Sequence, residues 1–236
     1  MKKLIVIVIA AFVLFSAQSE GFCSDLNLDL FAKAQGFCAG NQFAHALPYL
    51  DATIARKPRF ADALLLRGLA HYKLEQYEPA ISDLTRALAV DDRLGQAYYI
   101  RARAYLESGR VDKALQDADK AINVAGGANG AYLLRGNVRE MLGQSEKAID
   151  DYGRAIADSP KEAGPYINRA NLYYRLKQYG KAADDYSKCI ALKPTDLLEQ
   201  AYRRRLKAYE MLGKKDLAAK DRKTLQDFEA NDWVTR

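Results

Sequence analysis

Residues 129–162 read NGAYLLRGNVREMLGQSEKAIDDYGRAIADSPKE, and residues 163–196 read AGPYINRANLYYRLKQYGKAADDYSKCIALKPTD. Laid side by side, Tyr132 meets Tyr166, Arg135 meets Arg169, and Asn137 meets Asn171. Further on, Ala148 meets Ala182, Asp151 meets Asp185, Tyr152 meets Tyr186 and Pro160 meets Pro194. The offset is 34 residues throughout. The same alanine recurs at Ala46, Ala80 and Ala114, and a 36-residue step leads to Ala218. A fixed period of this size marks stacked units rather than one globular core, so function should lie on a surface.

Twelve residues before each alanine stands a small residue (Ala34, Gly68, Ala102, Gly136, Ala170), with Leu206 as the exception. Sixteen before it stands a large one: Leu30, Leu64, Tyr98, Tyr132, Tyr166 or Tyr202. Small slots let helix backbones approach, and a bulky substitute there overpacks by roughly 1–3 kcal/mol. Each period splits into two stretches with apolar residues at helical spacing. Gly109, Gly143 and Gly213 mark the turn between them, as residues suited to a left-handed helix end. Pro79 and Pro165 fall near helix starts, whereas Pro58, Pro160 and Pro194 stop second helices. Pro48 lies further into its helix and is expected to bend it.

These slots resemble the tetratricopeptide repeat. The matching stretches are 27–60, 61–94, 95–128, 129–162, 163–196 and 199–232, the last displaced by the inserted Leu197 and Leu198. The resemblance implies an all-α solenoid of stacked antiparallel helix pairs forming a right-handed superhelix. It does not name a partner, because arrays of this kind serve many.

At the N-terminus, Lys2 and Lys3 precede an apolar run from Leu4 to Phe15, followed by Ser16-Ala17-Gln18-Ser19. This pattern predicts a secretory signal over residues 1–19, with 20–26 as a short leading segment and 233–236 as a tail. The run is shorter than the roughly 20 apolar residues of a spanning helix, so membrane contact is expected only before cleavage. An exported, periplasmic or secreted protein of a bacterial envelope is the expectation. The formal net charge of +6 is spread along the chain rather than gathered on one face, which argues against a nucleic-acid footprint. Of three cysteines, Cys189 takes a small core slot; Cys23 and Cys38 are candidates for a disulfide over the first helix.

No catalytic, cofactor or metal motif is present. His45 and His71 lie in different periods, and His71 fills a slot held elsewhere by tyrosine. No strand precedes the Gly126-Gly127/Gly130 cluster, so it reads as an inter-repeat turn, not a phosphate loop. Arg67, Arg101, Arg135, Arg169 and Arg205 each precede an aspartate by sixteen residues: Asp83, Asp117, Asp151, Asp185 and Asp221. One offset repeated five times reads as an architectural ladder in preference to a ligand site. Arg222, where Tyr152 and Tyr186 stand earlier, reads with Lys220 and Lys223 as a polar terminal cap. Trp233 could tuck against that last helix or stand exposed as a contact point.

In the resembling family the concave wall is lined by first helices. The corresponding residues are Tyr72, Tyr99, Arg103, Leu133, Asn137, Ile167, Asn171, Tyr174, Arg203 and Lys207. The asparagines and arginines could bind the backbone of an extended peptide over a floor of Tyr99, Leu133 and Ile167; the apolar row could equally pack neighbouring helices. Asn137, Asn168 and Arg204 also match three slots of the family's carboxylate clamp, but Leu133 and Gln200 replace its lysines. The expectation is a non-enzymatic protein-binding or scaffolding module. Alternatives are a glycan-binding protein stacking sugars on Tyr72, Tyr99 and Tyr174, and a self-assembling structural subunit.

Overall fold

The computed structural model describes residues 29–124 and 130–232, and the described residues are helical with no strand. The expected signal segment, Cys23, Gly126-Gly127 and Trp233 lie outside them. The helices are α1 (residues 29–39), α2 (Phe43–Arg56), α3 (Ala61–Lys73), α4 (Tyr77–Val90), α5 (Gly95–Glu107) and α6 (Val111–Asn123). There follow α7 (Ala131–Met141), α8 (Ser145–Asp158), α9 (Ala163–Arg175), α10 (Tyr179–Ala191), α11 (Leu198–Met211) and α12 (Lys215–Asp232). They divide into a first unit through Arg110 and a second holding α6 to α12. Within the units consecutive helices pack on one another from α2 to α5 and from α6 to α12, and the short turn inside each pair returns the chain antiparallel.

The turns show why the period holds. Asn41, Glu75, Gly109, Gly143, Lys177 and Gly213 all have positive φ, between 56° and 75°. In each, the next residue's N–H reaches back five positions, as from Gln144 to Arg139 at 2.8 Å and from Gln178 to Tyr173 at 2.9 Å. This closes the carbonyls left open at a helix end. Three of the six turns use a residue other than glycine, which the glycine pattern did not reveal. Pro79 and Pro165 occupy the third position of α4 and α9, and α2 runs on through Pro48.

Core packing follows the small and large slots. In the first unit Ala34, Ala46, Leu50 and Leu64 are fully buried, with the Phe31 and Phe60 rings 4.8 Å apart beside them. In the second, Gly136 lies so close to Tyr152 that a Cβ would sit 2.6 Å from its ring, and Gly68 stands likewise 2.7 Å from Leu84 in the first. Tyr152, Tyr186 and Cys189 are fully buried. Burial, with the Asp196 charge behind it, pushes the Cys189 thiol up to about 11, as suits an inert core residue.

The arginine ladder closes inside each unit. Arg67 Nε and Nη2 donate to Asp83 at 2.7 and 2.6 Å, and Arg135 does the same to Asp151 at 3.0 and 2.6 Å. Arg169 pairs with Asp185 and Arg205 with Asp221 in the same two-pronged way. All four carboxylates are buried. The Asp83 hydrogen bonds hold the Arg67 guanidinium above its ordinary value. A further prong, Nη1, reaches back to the preceding second helix: Arg67 to Asp51, Arg101 to Thr85, Arg135 to Asp119, all sixteen residues away. Arg205 uses Ser187 instead. For Arg169 the matching residue is Gly153, which offers no side chain.

At the last repeat Leu206 enters the small slot and Arg222 leaves the core. Arg222 is exposed and donates to Glu210 at 2.6 Å, giving α12 a charged outer side. Tyr202 and Phe228 close the end edge to face at 5.8 Å.

Candidate functional site

The first helices of the second unit carry two adjoining recesses. One, of about 390 Å³, is lined by Asn137, Glu140, Asn168, Asn171 and Arg175 with Tyr152 at its base. The Tyr152 hydroxyl lies 2.6 Å from Glu140 Oε2 and 2.9 Å from Asn137 Oδ1. Its single proton serves one acceptor at a time. Asn168 Nδ2 also donates to Asn137 Oδ1 at 2.9 Å, and Arg175 closes on Glu140 at 2.6 Å. One period later the Tyr186 hydroxyl donates to Asn171 Oδ1 at 2.7 Å. Burial and the Glu140 carboxylate hold the Tyr152 phenol well above its ordinary value. Burial pushes Tyr186 up to about 12 despite the opposing charge of Arg204. Both tyrosines therefore stay neutral; Tyr186 fixes Asn171, while Tyr152 is shared between Glu140 and Asn137, whose Oδ1 also accepts from Asn168.

The second recess, of about 350 Å³, is lined by Tyr174, Gln200, Arg203, Arg204 and Lys207. Tyr174 is half-buried and braced edge to face against Tyr179 at 5.2 Å. Arg203 is paired with Glu199 at 2.7 Å.

In the first unit the Arg103 guanidinium lies over Tyr72 at 5.0 Å and Tyr99 at 5.9 Å, a pair of cation–π contacts. Tyr99 and Arg103 are half-buried.

Asn137 and Asn171 thus share one recess, and Tyr174, Arg203 and Lys207 share the next. Two expected wall residues belong to the core instead. Ile167 is 3% exposed, packed with Ala170, Ala182 and Tyr186, because its side chain points between helices rather than outward. Tyr72 is 9% exposed, covered by Arg103 and tilted against Tyr77 at 6.0 Å, which leaves no open ring face for a sugar. Leu133 is half-buried against the Ala148–Tyr152–Leu172 cluster, so it packs helices as the other reading of that row expected. Cys38 is half-buried. His71 spends Nδ1 on Gln76 Oε1 at 2.6 Å and stands 3.9 Å from Asp83, a packing place. Sequence reasoning missed Arg175 and the tyrosine support. The recurring asparagine fifteen residues before a core tyrosine (Asn137–Tyr152, Asn171–Tyr186) was the available signal. Among the described residues no cluster suits a metal ion, and no helix is long and apolar enough to cross a membrane.

Two family models described as tetratricopeptide repeat match residues 131–161 and 164–196. A third, described as anaphase-promoting complex, cyclosome, subunit 3, matches residues 39–121. Comparison with curated protein sequences finds no match. Among solved structures, PilW, described as a widely conserved type IV pilus biogenesis factor, is similar with a TM-score of 0.74 at 18% identity. That likeness covers 85% of this chain and 92% of PilW. The pilF protein of Pseudomonas aeruginosa is similar at 0.74 and 15% identity, over 89% of this chain and 99% of its own. YrrB, described as a TPR protein with an unusual peptide-binding site, is similar at 0.60 and 19% identity, over 72% and 87%. Period, paired helices and repeat models agree, and the chain is a tetratricopeptide repeat protein.

Proposed function

We propose that this chain is a non-enzymatic binding or scaffolding module of the cell envelope, holding an extended protein segment against its first-helix face. The observation that carries this is the asparagine row of the second unit. Asn171 is pinned through its Oδ1 by the buried Tyr186 hydroxyl, and Asn137 through its Oδ1 by Asn168 and by the Tyr152 hydroxyl that it shares with Glu140, so that each amide oxygen is occupied and the NH2 is the group left to offer. Groups fixed in advance lose little freedom on binding, and an extended backbone supplies carbonyls at regular spacing. YrrB's described peptide-binding site lends support by likeness of fold. The envelope setting rests on the signal-like residues 1–19 and on the pilus-biogenesis description of PilW.

The test is binding of a partner segment to the full chain and to Asn171→Ala and Tyr99→Ala variants, with the far-ultraviolet helical spectrum as a folding control. Weaker binding with an unchanged spectrum supports the reading. Unchanged binding in both variants contradicts it and turns attention to self-assembly, which sedimentation at several concentrations would reveal.

A further inference from the structure

Six large apolar side chains stand exposed among the described residues, and five of them gather at one edge of the second unit. Met141, Leu176, Met211, Leu212 and Leu217 all fall at the turns that lead from a first helix into its second helix. Met141 and Met211 are 62% and 56% exposed, each as the last residue of its helix. Single exposed hydrophobics are ordinary, but a row along one edge marks a contact surface. The same turns are basic. Residues 141–147, 175–181 and 211–217 hold six lysines and arginines against two acids, Glu146 and Asp216. Arg175 is spent on Glu140, whereas Lys177, Lys214 and Lys215 are exposed with no carboxylate at ion-pair distance among the described residues. Nothing of this kind marks the first-unit turn over residues 73–79, where Glu75 and Glu78 outnumber Lys73 and no bulky apolar side chain is exposed. Packing does not ask for it either: Glu75 and Lys177 hold the same left-handed turn position with opposite charge.

We propose that this edge of the second unit docks on an anionic lipid surface, the leucines and methionines dipping into the headgroup–acyl boundary and the lysines meeting lipid phosphates. The proposal goes beyond the groove reading, which concerns the first-helix face rather than the turns. Two features select lipid. Three successive hairpins, α7–α8, α9–α10 and α11–α12, end in separate apolar tips, and neighbouring helices pack about 8–10 Å apart. A fluid interface admits each tip on its own, to a depth of roughly 5–10 Å, and needs no matching groove. The charge selects an anionic surface, since lysines near one are drawn to it while their long stems cover apolar surface. A second copy laid edge to edge would set lysine against lysine.

Tryptophan fluorescence of the full chain tests this, with Trp233→Phe as the background and the probe at Met141→Trp, Met211→Trp or Lys161→Trp. Lys161 is exposed at the opposite edge, in the turn from α8 to α9. Every variant carries the apolar run Leu4–Phe15, so the position of the probe decides and vesicle capture alone does not. The vesicles hold phosphatidylcholine and phosphatidylglycerol in equal parts, with brominated acyl chains. On them both methionine-site probes should be quenched and Lys161→Trp should not. Pure phosphatidylcholine or added salt should weaken the quenching. Charge reversal by Lys177→Glu, Lys214→Glu and Lys215→Glu together should raise the lipid concentration for half-quenching at least about tenfold, with an unchanged helical spectrum. The first of these copies Glu75, so the turn is kept. Equal quenching at all three positions, none at the methionine sites, or indifference to lipid charge overturns the proposal. So does a response of the methionine-site probes to polyglutamate but not to vesicles, which would assign the edge to an acidic protein segment.

Discussion

Asp151 receives three guanidinium hydrogen bonds, two from Arg135 and one from Arg139 at 2.7 Å, while its side chain is 1% exposed. Replacing it with alanine leaves Arg135 and Arg139 side by side with only the half-exposed Asp119 between them. Breaking a buried ion pair from one side costs roughly 3–5 kcal/mol. Urea unfolding of Asp151→Ala should show a loss in that range; a loss under about 1 kcal/mol would place the pair among ordinary surface bridges. A second prediction concerns pH. Tyr186 is raised to about 12 when folded, against about 10 in an unfolded chain. A raised folded value means the folded state keeps its proton longer. The stabilisation is therefore complete below pH 10 and fades as pH climbs toward 12, by roughly 3 kcal/mol in all. Urea midpoints measured from about pH 9 to 11.5 should fall more steeply for the parent chain than for Tyr186→Phe. Parallel curves would mean the phenol is not held neutral by its surroundings.

At the scale of helices and turns, the repeats are uneven in ways that substitution can exploit. Glu75 and Lys177 hold φ of 60° and 59° where Gly109, Gly143 and Gly213 do the same work in other turns. Side chains pay for the left-handed conformation, so Glu75→Gly and Lys177→Gly should each raise stability by about 0.5–1 kcal/mol. Thermal unfolding reads this directly, with Gly143→Ala expected to shift the other way. The second irregularity is Gly153, inside α8, where a Cβ would lie 3.5 Å from Arg169 Nη1. Serine there would restore the rung that Thr85 and Ser187 supply to Arg101 and Arg205. It would also remove a glycine from a helix interior, so Gly153→Ser should stabilise by about 1 kcal/mol. A destabilised variant would show that the open rung is needed as it stands.

Across the whole molecule, the repeat register was legible because packing itself repeats: Gly136 is small since Tyr152 fills the space beside it, and both facts recur at 34 residues. The paired Arg135 and Asp151 were legible for the same reason. The turns at Glu75 and Lys177 were not, because a left-handed backbone need not announce itself in a side chain. Nor was the fate of Tyr72 and Ile167. A first-helix slot can face an open recess or a neighbouring helix, and the sizes of residues far off in sequence decide which. Asn137 and Asn171 were singled out as peptide contacts, yet what fixes them, a hydroxyl from the second helix, needs three-dimensional placement to see.

The central claim is that partners meet the first helices and not the second. A photo-reactive amino acid placed singly at Asn171, at Lys207, or at the exposed second-helix residues Lys147 and Lys188 measures this in the living cell. The account predicts one partner crosslinked from Asn171 and Lys207 and absent from Lys147 and Lys188. Capture from the second-helix positions, with Asn171 and Lys207 silent, would contradict it.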